Sequence, residues 1–209
     1  FVTKFQSNEF ADPIGPVRSI RPYFIQVGEF YSGVIVHAGA SNDGYAVLQR
    51  QKKQHLDGVK ADGVYYYRDN SRKAPHNLYT TLDKLREGVG KKKYPETALV
   101  PKLTFSDAPN LAGGLPATEV GITFMGSDYK VSYTYDSVRQ TYARFINGDP
   151  HVDKNNGEQL AAANVVVLAA KHDIQDSVGR LAVDLDSGGE AVLIQRGVAI
   201  PCRWERKEG

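Results

Sequence analysis

Gly33-Val34-Ile35-Val36-His37-Ala38-Gly39-Ala40-Ser41-Asn42 is the stretch on which the fold turns. Its first half reads as a short apolar strand of the kind buried on both faces. Three small residues follow, and Ser41 or Asn42 then stands where a helix N-cap belongs. Strand, tight loop and capped helix make the unit from which sheets layered with helices are built. The helix predicted here runs to about Lys53 and buries Tyr45, Val47 and Leu48. Working outward, Phe1 to Gln6 alternates like a first strand. Val17, Ile20, Tyr23, Phe24, Val27 and Phe30 recur at helical spacing, with Ser19 as cap and Pro22 tolerated in the first turn. Val64 to Arg68 reads as a third strand, and Asn77 as the cap of a third helix from Leu78 to about Glu87. Residues 1–90 are thus expected to form an α/β half with helices beginning near Ser19, Ser41 and Asn77.

Past residue 90 the period changes. Residues 91–117 are rich in proline, glycine and lysine and read as a linker, interrupted by a strand-like Leu103 to Phe105. Strand periodicity then governs 118–209: Glu119 to Phe124, Tyr129 to Tyr135, Thr141 to Ile146, Val165 to Ala169, Leu181 to Leu185, Ala191 to Gln195 and Val198 to Trp204. Asp186-Ser187-Gly188-Gly189 and Arg196-Gly197 mark hairpins, and a short helical turn is expected around Glu158 to Ala163. The fold class is α+β, with a front α/β half and a mainly antiparallel rear half.

Composition narrows the function. The 209 residues carry a formal charge of only +2, and the lysine blocks at 52–53 and 91–93 sit in polar surroundings. Nucleic acid, which needs a concentrated basic face, is not expected as a partner. The single cysteine, Cys202, excludes an internal disulfide and a cysteine zinc cluster, and its strand pattern suggests a small core residue. No apolar run approaches the ~20 residues of a membrane-spanning helix. The chain opens without methionine and closes on a strand-like Arg203-Trp204-Glu205-Arg206-Lys207, so it reads as part of a longer protein whose targeting signals lie outside it.

The chemistry concentrates in three loops of the front half. Gly15-Pro16-Val17-Arg18-Ser19-Ile20-Arg21 sets two arginines around a serine at a helix start. His37 to Asn42 puts a histidine at a strand end, followed by small residues that let a ligand approach the backbone. Arg68-Asp69-Asn70-Ser71-Arg72-Lys73-Ala74-Pro75-His76-Asn77 adds two arginines, a lysine and a histidine. Guanidinium forks and free N–H groups at helix starts suit anions, and ligands of open α/β sheets settle beyond the strand ends where such loops lie. The candidate ligand-binding set is Arg18, Ser19, Arg21, His37, Ser41, Arg68, Arg72, His76 and Asn77, with no metal ligands and no cofactor. Each has a plain structural alternative. Ser19, Ser41 and Asn77 serve equally as caps, Arg18 as a partner of Asp12 or Asp69, Arg68 of Asp69 or Asp43, and His37 as a satisfied core histidine. No dinucleotide-binding, Walker, nucleophile-elbow or zinc-protease motif is present, and Asp153 to Glu158 has the wrong spacing for an EF-hand and reads as a turn.

The segments Ile14-Gly15-Pro16-Val17-Arg18-Ser19-Ile20-Arg21, Val36-His37-Ala38-Gly39-Ala40-Ser41, Tyr67-Arg68-Asp69 and Ala74-Pro75-His76-Asn77-Leu78-Tyr79 resemble the YerB-like lipoprotein family of bacteria, defined by a domain of unknown function. The likeness continues through Tyr133-Thr134-Tyr135-Asp136, Tyr142-Ala143-Arg144, Asn164-Val165-Val166-Val167 and Trp204. It implies an extracytoplasmic protein held to the bacterial membrane by a lipid anchor that lies outside this chain, and it supplies no catalytic residue. A looser likeness joins the first loop to the arginine-rich pyrophosphate sites of LytR-type cell-wall polymer ligases. The leading expectation is a cell-surface module that binds a phosphate- or carboxylate-bearing envelope ligand. The alternatives are a phosphoryl or glycan-phosphate transfer enzyme using His37 or His76, and a scaffold that docks an envelope protein through its β-rich half.

Overall fold

The structure, a computed structural model, describes residues 12–95, 104–106, 110–124 and 128–206. The front segment folds into α1 (Pro22–Phe30), β1 (Ile35–His37), α2 (Asn42–Arg50), β2 (His55–Asp57), β3 (Tyr67–Arg68), β4 (Leu78–Tyr79) and α3 (Leu82–Lys91). β1 and β2 run parallel in the register Ile35↔His55, Val36↔Leu56, His37↔Asp57, so the chain must cross over between them, and α2 is that crossover. β3 and β4 pair antiparallel. Between the two ribbons, residues 14–20 run extended, bridged through Ile14 to Thr80 and through Ile20 to Ala40.

Those bridges hold the chain extended past Ser19. The helix expected from Ser19 begins at Pro22, because Arg21 ahead of the proline is held extended at φ −127°, ψ 162° and the ring fixes the first helical residue. Ser19 caps nothing. Its intended apolar face is also not the buried one: Ile25 is fully buried while Phe24, Val27 and Phe30 stay about half exposed. Ser41 does cap α2, its Oγ accepting from Gly44 N at 3.1 Å. Asn77 does not cap α3; Thr81 does, Oγ1 accepting from Lys84 N at 3.2 Å, because Leu78 and Tyr79 are taken into β4. Of the strand expected over Val64 to Arg68 only Tyr67–Arg68 pairs, since Gly63–Tyr65 forms a 3-10 turn. The Phe1 to Gln6 strand lies outside the described residues.

Two apolar clusters hold this part together. Ile20, Ile25 and Leu48 form one; Val17, Leu56, Tyr66, Leu78, Leu85 and Val89 form the other. α3 can press onto β2 because Gly88 has no side chain: a Cβ there would lie 2.9 Å from the Tyr65 ring and 3.0 Å from Leu56.

The rear segment forms two larger antiparallel sheets and a separate two-stranded ribbon from β5 (Leu115–Pro116), β6 (Glu119–Phe124), β7 (Tyr129–Asp136), β8 (Thr141–Ile146), β9 (Asp149–Pro150), β10 (Ala161–Ala162), β11 (Asn164–Leu168), β12 (His172–Ile174), β13 (Leu181–Val183), β14 (Gly189–Gln195) and β15 (Val198–Trp204). One sheet has the order β10-β8-β7-β6 with β9 on β8, the other β11-β14-β15-β5, and β12 pairs with β13 alone. The Arg196-Gly197 turn has both residues at positive φ, 48° and 77°, as a two-residue hairpin requires. No helical turn forms at 158–163; Asp153 to Gly157 close a loop and Ala161–Ala162 join the sheet. Cys202 is exposed rather than in the core, because on β15 it falls on the face opposite Ala199, which packs with the buried residues. The core of this part is Tyr142, Val165 and Ile194. By contacts the chain divides into two compact units, Phe1–Thr104 with Ile174–Ala182, and Phe105–Asp173 with Val183–Gly209.

Tyr142 is fully buried. Its hydroxyl donates to Ala117 O at 3.0 Å and accepts from Gly197 N at 2.9 Å, tying β8 to the turn between β14 and β15. Tyr142→Phe leaves a carbonyl and an N–H unpaired in the interior and is expected to cost about 1–3 kcal/mol. Urea unfolding followed by the fluorescence of Trp204 measures it, and an unchanged midpoint would show that the hydroxyl adds no net stability.

Candidate functional site

The backbone brings the three sequence loops to one place. Ala38 N donates to Arg18 O at 2.9 Å, and Val17 N to Leu78 O at 2.7 Å, so residues 17–18 are stitched to the end of β1 on one side and to β4 on the other. A cleft of about 140 Å³ opens where they meet. Val17, Ala38, Val59, Pro75 and Leu78 give it an apolar lining, and its polar groups are Arg18, Ser19 and Arg68. Ala38 and Val59 follow the carboxyl ends of the parallel strands β1 and β2, the usual place for a ligand in an α/β layer.

Both arginines are exposed, and among the described residues one hydrogen bond steadies each. Arg18 Nη1 donates to Pro75 O at 2.7 Å. Arg68 Nη1 donates to Asn77 Oδ1 at 2.7 Å, and Asn77 Nδ2 in turn reaches Asp69 O at 3.3 Å. Among the described residues neither guanidinium meets a carboxylate, and the ion pairs with Asp12, Asp43 or Asp69 do not form. Most of each fork's five donors remain available.

His37 is not in the cleft. It is fully buried directly behind Ala38, where Nδ1 donates to Gly39 O at 3.0 Å and Nε2 lies 2.9 Å from His55 Nδ1. A carbonyl only accepts, so the proton of His37 sits on Nδ1 and His55 donates to Nε2. Burial, the largest cause, holds His37 below the ordinary histidine value, against the Gly39 carbonyl and Asp57. His55 is lowered by burial, then by His37 and by Lys92. A second proton on His37 would go on Nε2 and face the His55 Nδ1–H that already points at it.

Asp57 organises the wall. Its Oδ1 accepts from Gly39 N at 3.0 Å and Val59 N at 3.1 Å, and its Oδ2 from the Tyr45 hydroxyl at 2.7 Å. Gly39, at φ +79°, can turn its N–H to the carboxylate and its carbonyl back to His37 because it lacks a Cβ. Burial alone would raise the Asp57 carboxyl, but the bonds from Tyr45, Val59 and Gly39 outweigh it and keep it below the usual range. Tyr45 is pushed up to about 12 by burial and by this carboxylate.

The other sequence candidates lie around the cleft. Ser41 is committed to its helix cap. Arg21 folds back to Ile20 O at 2.8 Å and Ser19 Oγ at 3.2 Å. Arg72 stacks 5.8 Å from the centre of the Tyr79 ring, His76 is exposed, and buried Asn77 orients Arg68. The residues that sequence reasoning missed are His55, Asp57 and Tyr45. Their signal was faint, since β2 is three residues long with one apolar side chain.

Residues 1–95 match the family model described as "Protein of unknown function (DUF3048) N-terminal domain", and residues 120–209 match its C-terminal domain. The chain is similar to "Putative lipoprotein YerB" of Bacillus subtilis (strain 168), 31% identical over 216 residues, covering 100% of this chain and 63% of that protein. It is also similar to the crystal structure of the YerB protein from Bacillus subtilis, with TM-score 0.83 and 28% identity over 94% of this chain and 66% of that one. The chain therefore spans a little under two thirds of the length of these relatives.

The buried pair makes stability depend on pH. Unfolded histidines titrate near 6.5, and both folded values lie lower, so the stability gained by keeping the rings neutral is complete above pH 6.5 and is lost as pH falls toward the folded values. Each ring weakens folding by up to about 1.4 kcal/mol per pH unit in that window. Asp57, lowered from 3.8, adds its loss only below that pH. Melting temperatures should fall between pH 6.5 and 4.5, and His55→Gln should flatten the slope; a flat parent profile would contradict the neutral pair. Asp57→Asn replaces one of the accepting oxygens by a donor and should cost ~3 kcal/mol, read as a shift in urea midpoint; a change within error would mean the wall does not depend on this carboxylate.

Proposed function

We propose, for a chain that belongs to the DUF3048 family of proteins of unknown function, that it is a membrane-anchored envelope module whose cleft binds a phosphate- or carboxylate-bearing ligand. The observation that carries this reading is the pair of exposed guanidiniums, Arg18 and Arg68, lining one cleft and steadied by neutral acceptors rather than by acids. A planar fork offers two parallel donors to a carboxylate or phosphate. The lipoprotein name of the Bacillus subtilis relative supports the envelope address, and among the described residues no helix is long and apolar enough to cross a membrane.

Isothermal titration with inorganic phosphate and pyrophosphate tests the reading. The parent protein should bind, and Arg18→Ala and Arg68→Ala should each weaken binding about tenfold to a hundredfold, the loss of one charge-assisted contact. Arg18→Ala should leave the melting temperature within a few degrees of the parent, as for other exposed charges. A large drop in melting temperature with an unaltered anion response would make Arg18 a framework residue and remove the proposal.

A further inference from the structure

The cleft offers more donors than a carboxylate can use. Arg18 and Arg68 bring two positive charges, and none of the residues lining the cleft is an acid. The acid beside Arg68, Asp69, is turned to Ser71, its Oδ1 accepting from the backbone N at 2.8 Å and from Oγ at 2.6 Å. Asp57, behind the wall, is turned to Gly39 N, Val59 N and the Tyr45 hydroxyl. Ser19 adds a third group. It is exposed, lines the same cleft, and has no helix to cap, since α1 starts without a side-chain cap. Its Oγ accepts from Arg21 Nη1 at 3.2 Å, and the same nitrogen is held by Ile20 O at 2.8 Å. A hydroxyl that accepts still has a proton to give, and among the described residues no acceptor takes that of Ser19.

We infer, with anion binding in this cleft as the premise, that the ligand is a phosphomonoester whose terminal phosphoryl group meets both guanidiniums and the Ser19 hydroxyl. A carboxylate has two oxygens in one plane and a single charge, and one guanidinium fork engages both oxygens. A phosphodiester likewise has two free oxygens and a single charge. A phosphomonoester presents three oxygens and, near neutral pH, a charge of about −1.5 to −2. It therefore matches two guanidiniums in charge, and it has an oxygen left for the serine. Ser19 is the group that reads the third oxygen.

Isothermal titration of the 209-residue chain decides it, at about pH 8, where a phosphomonoester is dianionic and histidines are neutral. Inorganic phosphate and methyl phosphate should bind alike, and dimethyl phosphate, acetate and the dicarboxylate malonate at least about tenfold more weakly. Ser19→Ala should weaken methyl phosphate about tenfold, the loss of one hydrogen bond to a charged group, and leave malonate unchanged. Ser19→Thr keeps the hydroxyl and should restore methyl phosphate binding, with the circular dichroism melts of both variants matching the parent. Malonate or dimethyl phosphate binding as tightly as methyl phosphate would overturn the monoester and leave anion binding standing. So would phosphate binding without methyl phosphate, or methyl phosphate binding that Ser19→Ala leaves intact. No binding of any of these anions would remove the anion-binding reading itself, and the monoester with it.

Discussion

The carboxylate of Asp57 is the constraint on which the front unit depends. A buried charge is costly unless it is fully hydrogen-bonded, and this one is satisfied by Gly39 N, Val59 N and the Tyr45 hydroxyl. Those donors come from the loops after β1 and β2 and from the crossover helix. Satisfying one charge therefore fixes the two strand ends and the helix that joins them. The backbone of Asp57 is anchored in turn by Asp62 Oδ2 at 3.0 Å, and Asp62 pairs with Lys92 at 3.0 Å. The network reaches the end of α3 without leaving a buried polar side-chain atom unpaired among the described residues.

The cleft follows from that wall. Ala38 and Val59 hold their places because Gly39 N, next to Ala38, and Val59 N are both bound to Asp57. The arginines enter from the other side, on segment 14–20, which is joined to the wall by backbone bonds, and on segment 67–79, which is joined in turn to segment 14–20. The framework and the proposed ligand-binding groups are therefore different residues. Substitutions at Asp57 or His37 are expected to act on stability, and, on the proposed reading, substitutions at Arg18 or Arg68 on binding.

Much of this was legible in the sequence, and the misses have physical causes. The Ser41 cap, the β1 strand and the Arg196-Gly197 hairpin depend on local chemistry and were readable. The start of α3 was not, because Leu78 continues the spacing of Leu82, Leu85 and Val89 although it belongs to β4. Helical period and burial coincided by accident there. The same happened at α1, where Val17 and Ile20 are buried from an extended segment while Phe24, Val27 and Phe30 keep the period and face solvent. Of the site candidates, Arg18, Ser19 and Arg68 stood out in the sequence beside loop signals, and they line one cleft. His55 and Asp57 were invisible because a three-residue strand lined by polar side chains looks like a loop, and only the parallel register sets them beside His37.

The claim that the front unit holds an anion between its two cleft arginines is tested most directly by a crystal structure grown in phosphate. The account predicts an ordered phosphate within hydrogen-bond distance of both Arg18 and Arg68, against the Val17, Ala38 and Val59 wall. A well-ordered cleft that stays free of phosphate at saturating concentration, with Arg18 turned to protein acceptors alone, would contradict it.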